Sequence, residues 1–511
     1  MSVLEAFTSL SGKILIDGQV RASRATEASD TLDPATEARL GHVAEATDAE
    51  IDEAVAGANK AQKAWAARNA LARAEALHEI AHRLRQRRAE LAEAMTRDMG
   101  KPFKESSDEV EWSATAYDYF AEVARADQGR IIGPVVDGQT HLVTKHPLGV
   151  AAIIMPFNYP FVLFSWEASA ALATGNAVVL KPSEYTTLSS LLMLECFDHL
   201  PCGLVQCVTG GARVGARLVE HPDVHCVAFT GSIKAGQAVA KACAGTFKRV
   251  LIEASGNDPF IVMPSAPLDI VAKGAVFSAY INCGQICARA ERFYVHQDVH
   301  DEFVRRVTDL SKAIRIGNGL DKVDVGPLVS ARERDRYEGL VKRTLDAGAR
   351  LHCGGGRPSQ FNRGFFVDTT VLSGVDQRME IMRNESFGPV MPICRVKDLD
   401  EAIAHANDSQ YALGSVIYTM DLKEAMRATN EIQAGMTWVN APLLDNDAGP
   451  FGGWKMSGTG SQLGTEGLEQ FRKSKMVMID PNCSDHDFWW YPYKDAEAFK
   501  GEQGKGERGK A

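Results

Sequence analysis

Residues 149–181, which read GVAAIIMPFNYPFVLFSWEASAALATGNAVVLK, contain two apolar strands on either side of a helix. The run from Gly149 to Pro156 is predicted as the first strand, and Pro160 begins a helix that extends to Thr174. The second strand covers Ala177 to Lys181. Two nearly continuous apolar strands joined by a helix are typical of a βαβ unit with parallel strands.

The same alternation continues along the chain and predicts an α/β fold with two doubly wound domains and a small β arm. Further strands are expected at Val205–Val208, Cys226–Thr230 and Arg249–Ile252, and helices at Thr187–His199, Ala212–His221 and Ile233–Ala244. The second α/β block runs from about Asn257 to Trp454, with strands near Phe260–Met263, Phe293–Val295, Val390–Arg395 and Gly414–Tyr418. The arm would combine a hairpin at Gly129–His146 with an exposed strand at Ser474–Ile479.

The N-terminal region precedes these blocks. Its first 45 residues are predicted to form short strands and turns, because glycine and proline punctuate them. Thr47 and Glu50 form a capping box that opens a long helical stretch to about Met99. A second helix is expected from about Glu105 to Ala126.

The composition is that of a globular protein. At 511 residues, with 45% hydrophobic and 24% charged residues, the chain is long enough for two or three domains. The net charge of −10 argues against a nucleic-acid-binding protein, which would carry a basic surface. No uninterrupted apolar run reaches the roughly 18–20 residues of a membrane helix, and the N-terminus lacks a signal-peptide pattern. We therefore predict a cytoplasmic protein with neither membrane nor nucleic-acid partners.

Cys287 is the most informative of the ten cysteines, none of which forms a C-x-x-C pair that would indicate a metal site. It follows Gly284-Gln285, where a helix can begin, so backbone N–H groups and a helix dipole could lower its pKa. The resulting thiolate would be a nucleophile, and the same N–H groups could stabilise an oxyanion. The alternative is a small buried core residue, which is the preferred interpretation for Cys283.

Two other polar side chains stand where strands end. Glu253 follows the strand Arg249–Ile252, which places a carboxylate at the crevice of an open α/β sheet, although a solvated surface charge is the alternative. Asn158 lies in the turn before Pro160, where its amide could donate a hydrogen bond to an oxyanion. The competing prediction for Asn158 is an N-cap of the following helix.

Five motifs together resemble those of the aldehyde dehydrogenase superfamily, over roughly residues 15–480. They are Asn282–Cys287, Pro156–Pro160, Glu253–Gly256, Glu385–Pro389 and Pro450–Gly458. The resemblance implies that Cys287 is the nucleophile, Glu253 the general base and Asn158 an oxyanion donor. It further implies NAD-dependent oxidation of an aldehyde to a carboxylic acid through a thiohemiacetal and a thioester. Ala254 and Ser255 depart from the Leu-Gly that the family carries after the glutamate.

The resemblance also implies a site for the pyrophosphate of NAD. Thr230, Gly231 and Ser232 join a strand to a helix and match the turn that the family places against the pyrophosphate. Gly215 matches a second glycine-bearing turn near the cofactor. Without the resemblance, Gly215 would be interpreted as an ordinary loop glycine, and the turn at Thr230–Ser232 as a weak dinucleotide signal, because it lacks the full G-x-G-x-x-G pattern.

The ribose sites are implied in the same way. Lys181 and Glu184 match the residues that hold the adenosine ribose, and Glu184 would repel a 2′-phosphate, which favours NAD over NADP. Glu385 matches the residue that holds the nicotinamide ribose, and Phe387 the residue that packs near the ring. The alternatives are a solvated Lys–Glu pair and an ordinary turn.

An apolar tunnel for the aldehyde follows from alignment with the same motifs. Its predicted lining is Leu163, Trp166, Ile286, Ala288 and Phe451, which favours an uncharged aldehyde, with plain core packing as the alternative. Arg289 could receive an anion, but a structural carboxylate is its more typical partner.

Two further positions depart from the family. Glu167 stands where many members carry lysine, and Gln462 where many carry glutamate; in some members that pair belongs to a proton path for the general base. A glutamine cannot ionise. The hypothesis is that Glu253 loses its proton by another route, through Glu167.

The predicted domain organisation follows these motifs. An NAD-binding domain is expected at residues 1–128 and 147–256, a catalytic domain at 257–455, and an oligomerisation arm at 129–146 and 456–485. Residues 486–511 form a C-terminal extension whose aromatic part is expected at an interface and whose end is expected to be disordered. The arm predicts a homodimer or homotetramer.

Several other functions compete with this interpretation. The first is a CoA-acylating or a phosphorylated- or semialdehyde-specific member of the superfamily; acylating members often lack the base at Glu253. The second is an esterase-type hydrolase that uses the same cysteine without NAD. The third is a non-catalytic structural or binding protein that retains the fold.

Overall fold

The computed structural model describes residues 2–485, 490 and 491. Its helices are α1 (Val3–Leu10), α2 (Asp48–Ala66), α3 (Ala70–Gln86), α4 (Arg88–Met99), α5 (Phe103–Ala126), α6 (Pro160–Ala173), α7 (Thr187–Leu194), α8 (Ala212–Glu220), α9 (Ile233–Ala244), α10 (Leu268–Tyr280), α11 (His300–Lys312), α12 (Ala331–Asp346), α13 (Leu399–Asn407), α14 (Leu422–Glu431) and α15 (Gly464–Gln470).

The strands belong to four sheets. In chain order they are β1 (Lys13–Ile16), β2 (Gln19–Ala22), β3 (Ala28–Leu32), β4 (Arg39–Ala44), β5 (Gly129–Ile132), β6 (Thr140–Pro147), β7 (Val150–Ile154), β8 (Ala177–Lys181), β9 (Val205–Cys207), β10 (Cys226–Thr230), β11 (Arg249–Glu253), β12 (Asp258–Val262), β13 (Ala290–His296), β14 (Arg350–Cys353), β15 (Thr370–Ser373), β16 (Val390–Val396), β17 (Val416–Tyr418), β18 (Trp438–Val439), β19 (Gly458–Thr459) and β20 (Arg472–Ile479).

The largest sheet has eight strands in the order β19-β11-β10-β7-β8-β9-β1-β2. Its neighbours from β11 to β9 are all paired in parallel. The chain moves outward from β7 to β8 and β9 on one side, and to β10 and β11 on the other. Such a reversal of strand order opens a crevice at the carboxyl ends of the strands, where α/β proteins bind their ligands.

A second sheet of seven strands has the order β14-β15-β16-β13-β12-β17-β18 and is parallel except for the β14–β15 pair. Each large sheet has its own cluster of buried apolar side chains, so the predicted α/β class with two doubly wound domains is confirmed. The short segment between β11 and β12 links the two sheets. The active-site candidates lie along this junction.

The β arm is also confirmed, as an antiparallel sheet in the order β20-β6-β5. Strand β20 pairs with β6 over eight residues, from Arg472 opposite Pro147 to Ile479 opposite Thr140. Ile131 and Met478 on this arm are 79% and 62% exposed. Strand β19 pairs with β11 of the large sheet, so the chain returns to that sheet before it enters the arm.

The N-terminal region differs from the prediction in two ways. Residues predicted as strands and turns begin with helix α1, which is capped by Ser2 and Glu5. The predicted long helix is divided into α2, α3 and α4: Asn69 accepts a hydrogen bond from the Ala72 backbone and starts α3, while the second break, at Arg87, has no side-chain cap. The helices that the structure describes are each too short or too polar to cross a bilayer. The predicted C-terminal interface falls largely outside the described residues.

Candidate active site

Cys287 lies in the turn between a 3-10 helix at Ile281–Gly284 and strand β13. Asn282, Cys283 and Gly284 all have positive φ angles, of 52°, 54° and 72°. Gly284 is required there, because a Cβ atom would lie 2.4 Å from the backbone of Gly388. This tight turn leaves Cys287 half-buried at the junction between the two large sheets, while Cys283 is buried in the second core.

The predicted helix start at Cys287 is wrong, and so is the predicted fall in its pKa. Residues 287–289 form a turn that leads into a strand. Burial raises the pKa of the Cys287 thiol well above its usual value, and the nearby carboxylates of Glu253 and Glu385 raise it further. The backbone N–H of Ala288 acts in the opposite direction. Cys287 is therefore a thiol until a neighbouring base or a bound ligand changes this balance.

Asn158 lies in the loop between β7 and α6, with 3% of its surface exposed. Its backbone carbonyl accepts hydrogen bonds from Lys101 Nζ at 2.6 Å and from Asn282 Nδ2 at 3.0 Å. These bonds hold the backbone of the loop in place, and the Asn158 side chain lies on the wall of the cavity that contains Cys287.

The alternative role of Asn158 as a helix cap is wrong. Helix α6 has no side-chain N-cap, and the carboxylate of Glu109 accepts hydrogen bonds from the backbone N–H groups of Phe161 at 2.8 Å and Val162 at 3.2 Å. Glu109 is buried beside Lys101, to which it is hydrogen-bonded. The Asn158 carboxamide is thereby free to contact a ligand.

Glu253 is the last residue of β11, and only 1% of its surface is exposed. Its Oε1 has no hydrogen-bond partner among the described residues, while the Gly453 backbone N–H interacts with its carboxylate. Burial raises the pKa of Glu253 well above its ordinary value, and the charges of Asp258 and Glu167 add to the effect. A buried carboxyl group with an unpaired oxygen, close enough to influence Cys287, can exchange protons with a water in the site.

The segment Ala254–Gly256 connects Glu253 to the nucleophile. A Cβ atom on Gly256 would lie 2.0 Å from the Cys287 carbonyl oxygen, so only glycine allows this approach of the two backbones. Ser457 holds the segment by donating its hydroxyl to the Ser255 carbonyl at 2.8 Å and by accepting, through its own carbonyl, from the Ala254 N–H at 2.7 Å. Ala254 and Ser255 are therefore held in place although they depart from the family motif.

A cavity of about 360 Å³ opens above Cys287. All five residues predicted to line the tunnel lie on its wall, and so does Asn158. The other lining residues were not predicted: Trp112, Thr115, Tyr159, Val162, Phe277, Ile281, Leu443, Leu444, Asp445 and Asp447. Two acidic side chains on the loop before Phe451 therefore change the expectation of a wholly apolar lining.

Glu167 and Gln462 lie behind this wall. Both are buried, and Nε2 of Gln462 donates to Oε1 of Glu167 at 2.6 Å. Burial raises the pKa of Glu167 to about 8, with the bond from Gln462 opposing the shift. Since Glu167 also raises the pKa of Glu253, the two carboxyl groups are close enough to interact.

The residues predicted to hold a dinucleotide follow the carboxyl ends of neighbouring parallel strands. Lys181 ends β8, and its Nζ lies 3.5 Å from Oε2 of Glu184. Gly215, in the first turns of α8, is buried, and a Cβ atom added there would make ordinary contacts at 3.8 Å with the side chains of Ile154 and Lys181. These residues surround the crevice at the reversal of strand order.

The turn from β10 to α9 lies on the other side of this crevice. Thr230 ends β10 with its hydroxyl buried and without a hydrogen-bond partner among the described residues. Ser232 caps α9 by accepting a hydrogen bond from the Ala235 backbone. The amino end of a twelve-residue helix and an unpaired buried hydroxyl together fit a bound pyrophosphate.

Glu385 and Phe387 come from the second large sheet's domain. Glu385 Oε1 accepts a hydrogen bond from the Gly256 N–H at 3.1 Å and also interacts with the Ser255 side chain. The Phe387 ring lies edge-on to Phe157, with the centroids 6.0 Å apart. Glu385 thus borders the segment that follows Glu253, and Phe387 borders the loop that carries Asn158.

Glu291 supports this loop and was not predicted. Its carboxylate accepts from the backbone N–H groups of Ser386 at 2.7 Å and Phe387 at 3.0 Å, and it pairs with Arg289 at 2.8 Å. Arg289 therefore faces a structural carboxylate rather than an anion site. No sequence motif marks Glu291 as a support for this loop. Asp445 and Asp447, by contrast, stand in a polar run just before the Pro450–Gly458 motif, and that position was a signal for them.

Comparison with known proteins agrees with this geometry. The model of the aldehyde dehydrogenase family matches residues 20–477. Lactaldehyde dehydrogenase from Escherichia coli is 36% identical over 469 residues, which cover 91% of this chain and 98% of that protein.

Two solved structures extend the comparison. Betaine aldehyde dehydrogenase from Staphylococcus aureus, in complex with NAD+, has a TM-score of 0.91 at 31% identity, with 96% of this chain and 98% of that chain covered. An NADP-dependent enzyme from Escherichia coli has a TM-score of 0.90 at 34% identity, with 92% and 98% covered. Sequence, fold and site thus lead to one assignment: the chain belongs to the aldehyde dehydrogenase family.

Proposed function

We propose that this protein oxidises an aldehyde to its carboxylic acid with NAD, through a covalent bond between the substrate carbon and Cys287. The observation that carries the proposal is that the Cys287 thiol and the Asn158 carboxamide line one cavity, with no other partner occupying that carboxamide among the described residues. Family membership supports the aldehyde as the substrate class.

The first step forms the bond to sulfur. Cys287 releases its proton to water in the cavity and attacks the carbonyl carbon, whose π electrons move to the carbonyl oxygen and give it negative charge. The Asn158 amide donates to this oxygen, a contact that typically contributes about 3 kcal/mol to such a transition state. Lys101 and Asn282 keep the Asn158 backbone in place while the charge develops.

The last step releases the acid. Once a hydride has left the substrate carbon, that carbon is the carbonyl carbon of a thioester with Cys287. Glu253 then removes a proton from water, the water attacks the thioester carbon, and the bond to sulfur breaks, so that Cys287 leaves as a thiolate. The raised pKa of Glu253 makes its carboxylate a strong base once it has lost its own proton. The unpaired Oε1 is the oxygen available to that water.

The residues of the crevice fit NAD. Lys181 and Glu184 would hold the adenosine ribose, Thr230 and the amino end of α9 the pyrophosphate, and Glu385 the nicotinamide ribose. When bound, NAD accepts the hydride that leaves the substrate carbon. Glu184 favours NAD over NADP, because a carboxylate beside the adenosine ribose would repel a 2′-phosphate.

Replacement of Cys287 tests the proposal. Cys287→Ala is expected to abolish NADH production while NAD binding, measured by calorimetry, is retained. Cys202→Ala is the matched control, because Cys202 is an exposed thiol away from the cavity. Substantial NADH production by Cys287→Ala would contradict the covalent mechanism.

The rival functions are separated by the same assay. Acceleration by CoA, with formation of an acyl-CoA, would identify an acylating enzyme, and the presence of Glu253 favours hydrolysis instead. Ester turnover without NAD and without aldehyde oxidation would identify a hydrolase. A semialdehyde- or phosphate-specific enzyme would require an anion site at the cavity, where the lining carries acidic side chains.

The arm is proposed to join subunits into a homodimer or homotetramer. Its exposed Ile131 and Met478 are apolar side chains on a three-stranded sheet, a surface that another subunit can cover. Light scattering after size exclusion measures the mass, and Ile131→Asp combined with Met478→Asp is expected to reduce it. A wild-type monomer would contradict this assembly.

A cytoplasmic location is proposed from the sequence pattern.

A further inference from the structure

Two carboxylates mark the outer part of the cavity above Cys287. Asp445, which is exposed, and Asp447, which is half-buried, both line it, and they belong to the loop that leads into Phe451. Desolvation by the surrounding protein and the neighbouring Asp447 raise the pKa of Asp445 to about 6, so Asp445 carries a negative charge in a slightly alkaline assay. Desolvation also raises the pKa of Asp447.

No basic side chain among the described residues pairs with these carboxyl groups. The lining residues that the structure describes include neither lysine, arginine nor histidine. Among the described residues, neither Asp445 nor Asp447 belongs to an ion pair, and Thr115 is the side chain that lies beside Asp447. Acidic groups near a low-dielectric wall favour a cation and disfavour an anion.

The remaining wall suits the body of an organic cation. Trp112, on α5, is half-exposed and lines the cavity, as do Trp166 and Phe451, whereas the ring of Tyr159 already has the Lys101 ammonium over it at 3.8 Å. The Trp166 and Phe451 rings pack with centroids 5.0 Å apart. Aromatic faces attract ammonium groups and also accommodate the apolar carbons that carry them.

The inner end of the same cavity is independently marked as a ligand site. Asn158 is buried, with 3% of its surface exposed, and no hydrogen bond from its carboxamide to the described residues is present. Its amide and the Cys287 thiol lie at one end, and the acidic pair lies on the loop 443–447. A ligand that satisfies both ends has a carbonyl group and a positive charge.

We propose that the substrate is an aldehyde with an ammonium group at the end remote from the carbonyl, recognised by Asp445, Asp447 and the aromatic wall. The inference rests on the proposed aldehyde oxidation by Cys287 and specifies its substrate class. It replaces the expectation of an uncharged aldehyde, which was based on five apolar lining residues alone.

Isosteric pairs of aldehydes test the charge without a change of shape. Trimethylammonioacetaldehyde is compared with 3,3-dimethylbutanal, and 4-(trimethylammonio)butanal with 5,5-dimethylhexanal, at pH 8 with NAD and with NADP. Succinic semialdehyde supplies an anionic aldehyde. We expect kcat/KM to be about tenfold or more higher for at least one cation than for its neutral partner, with the anion poorest.

Variants then test whether Asp445 and Asp447 cause the preference for a cationic aldehyde. Asp445→Asn combined with Asp447→Asn is expected to raise KM for the preferred cation about tenfold or more, with kcat and the neutral partner changed less than about twofold. Asp346→Asn is the charge-matched control, because Asp346 is an exposed residue on α12 paired with Lys342. Its kinetics should equal those of the wild type.

The outcomes separate the two proposals. Equal use of both members of each pair, or a preference for the anion, would overturn the ammonium inference while aldehyde oxidation stands. A cation preference that survives in the double variant would overturn the role of Asp445 and Asp447. If the neutral aldehydes and the cations are all inert with both cofactors, the proposed oxidation itself fails.

Discussion

Gln462 donates its side-chain amide to Glu167 at 2.6 Å, and the two buried residues form a pair with one ionisable member. Glutamine can hold a carboxylate in place but cannot take its proton. With a pKa raised to about 8, Glu167 changes charge in the range where an enzyme of this kind is assayed. Glu167 can therefore accept and release a proton beside Glu253 while Gln462 holds its carboxyl group in place.

Glu167→Gln tests this role. If Glu167 takes the proton from Glu253, steady-state turnover should fall about tenfold, and an ionisation near pH 8 should disappear from the kcat profile. The first-turnover burst of NADH should be unchanged, since Glu253 acts after hydride transfer. Glu466→Gln, in the exposed part of α15, is the control. A variant with the wild-type rate and pH profile would exclude the route through Glu167.

Glu253→Gln should separate the two halves of the reaction. The variant is expected to form the thioester but to release acid about 100-fold more slowly or worse, because water loses its base. Mass spectrometry of the protein after mixing with aldehyde and NAD would detect the acyl adduct on Cys287. Release of acid at the wild-type rate would mean that another group activates the water.

The pH dependence has a definite sign. Only the carboxylate form of Glu253 accepts a proton, and its pKa lies well above the ordinary value. The fraction of active base therefore increases as pH rises through that raised pKa, so deacylation should become faster from neutral to alkaline pH. Single-turnover release of acid across this range measures the effect, and a rate that falls over the same range would contradict it.

Lys101→Met should destabilise the protein. It removes the cation beside buried Glu109 and the donor to the Asn158 carbonyl. Loss of one partner of a buried pair typically costs about 3–5 kcal/mol, because the remaining charge is unpaired. Urea unfolding measures the loss. Lys104→Met, at an exposed i,i+4 pair with Asp108, should change stability by less than about 1 kcal/mol.

Glu184→Gln should alter the choice of cofactor. Removal of the carboxylate is expected to raise the ratio of kcat/KM for NADP to that for NAD about tenfold, equivalent to about 1.4 kcal/mol. Both constants are measured at fixed aldehyde. Glu195→Gln, an exposed substitution on the following segment, is the comparison. An unchanged ratio would show that Glu184 does not face the 2′-position.

The alternation of strands and helices was predictable because buried parallel strands are almost continuously apolar, as in β7 and β8. The division of the long N-terminal helix was not, since Asn69 is one polar residue among strong helix formers and its capping role depends on the turn that precedes it. Helix α1, by contrast, has a local signal that the prediction missed: Val3, Ala6, Phe7 and Leu10 are buried at helical spacing after the capping box of Ser2 and Glu5.

Within the site, sequence motifs identified the residues but not their environment. The raised pKa of Cys287 comes from burial and from Glu253 and Glu385, which are distant in the chain. The position of Asp445 and Asp447 on the cavity wall could not be predicted from sequence spacing, because the orientation of their loop depends on the helices packed around it. Local sequence patterns thus predict which residues form the site, whereas the pKa values of those residues depend on tertiary contacts.

The pairing of β19 with β11 has a consequence for the order in which the newly made chain matures. Gly458 stands opposite Glu253, and the Ser457 and Gly453 backbones hold the segment around that residue. A ribosome synthesises residue 253 about two hundred residues before this support, at roughly 5–20 residues per second. The edge of β11 therefore stays without its last neighbouring strand for about 10–40 seconds. A polypeptide released before residue 453 would contain Cys287 and Asn158 yet lack the contacts that hold Glu253.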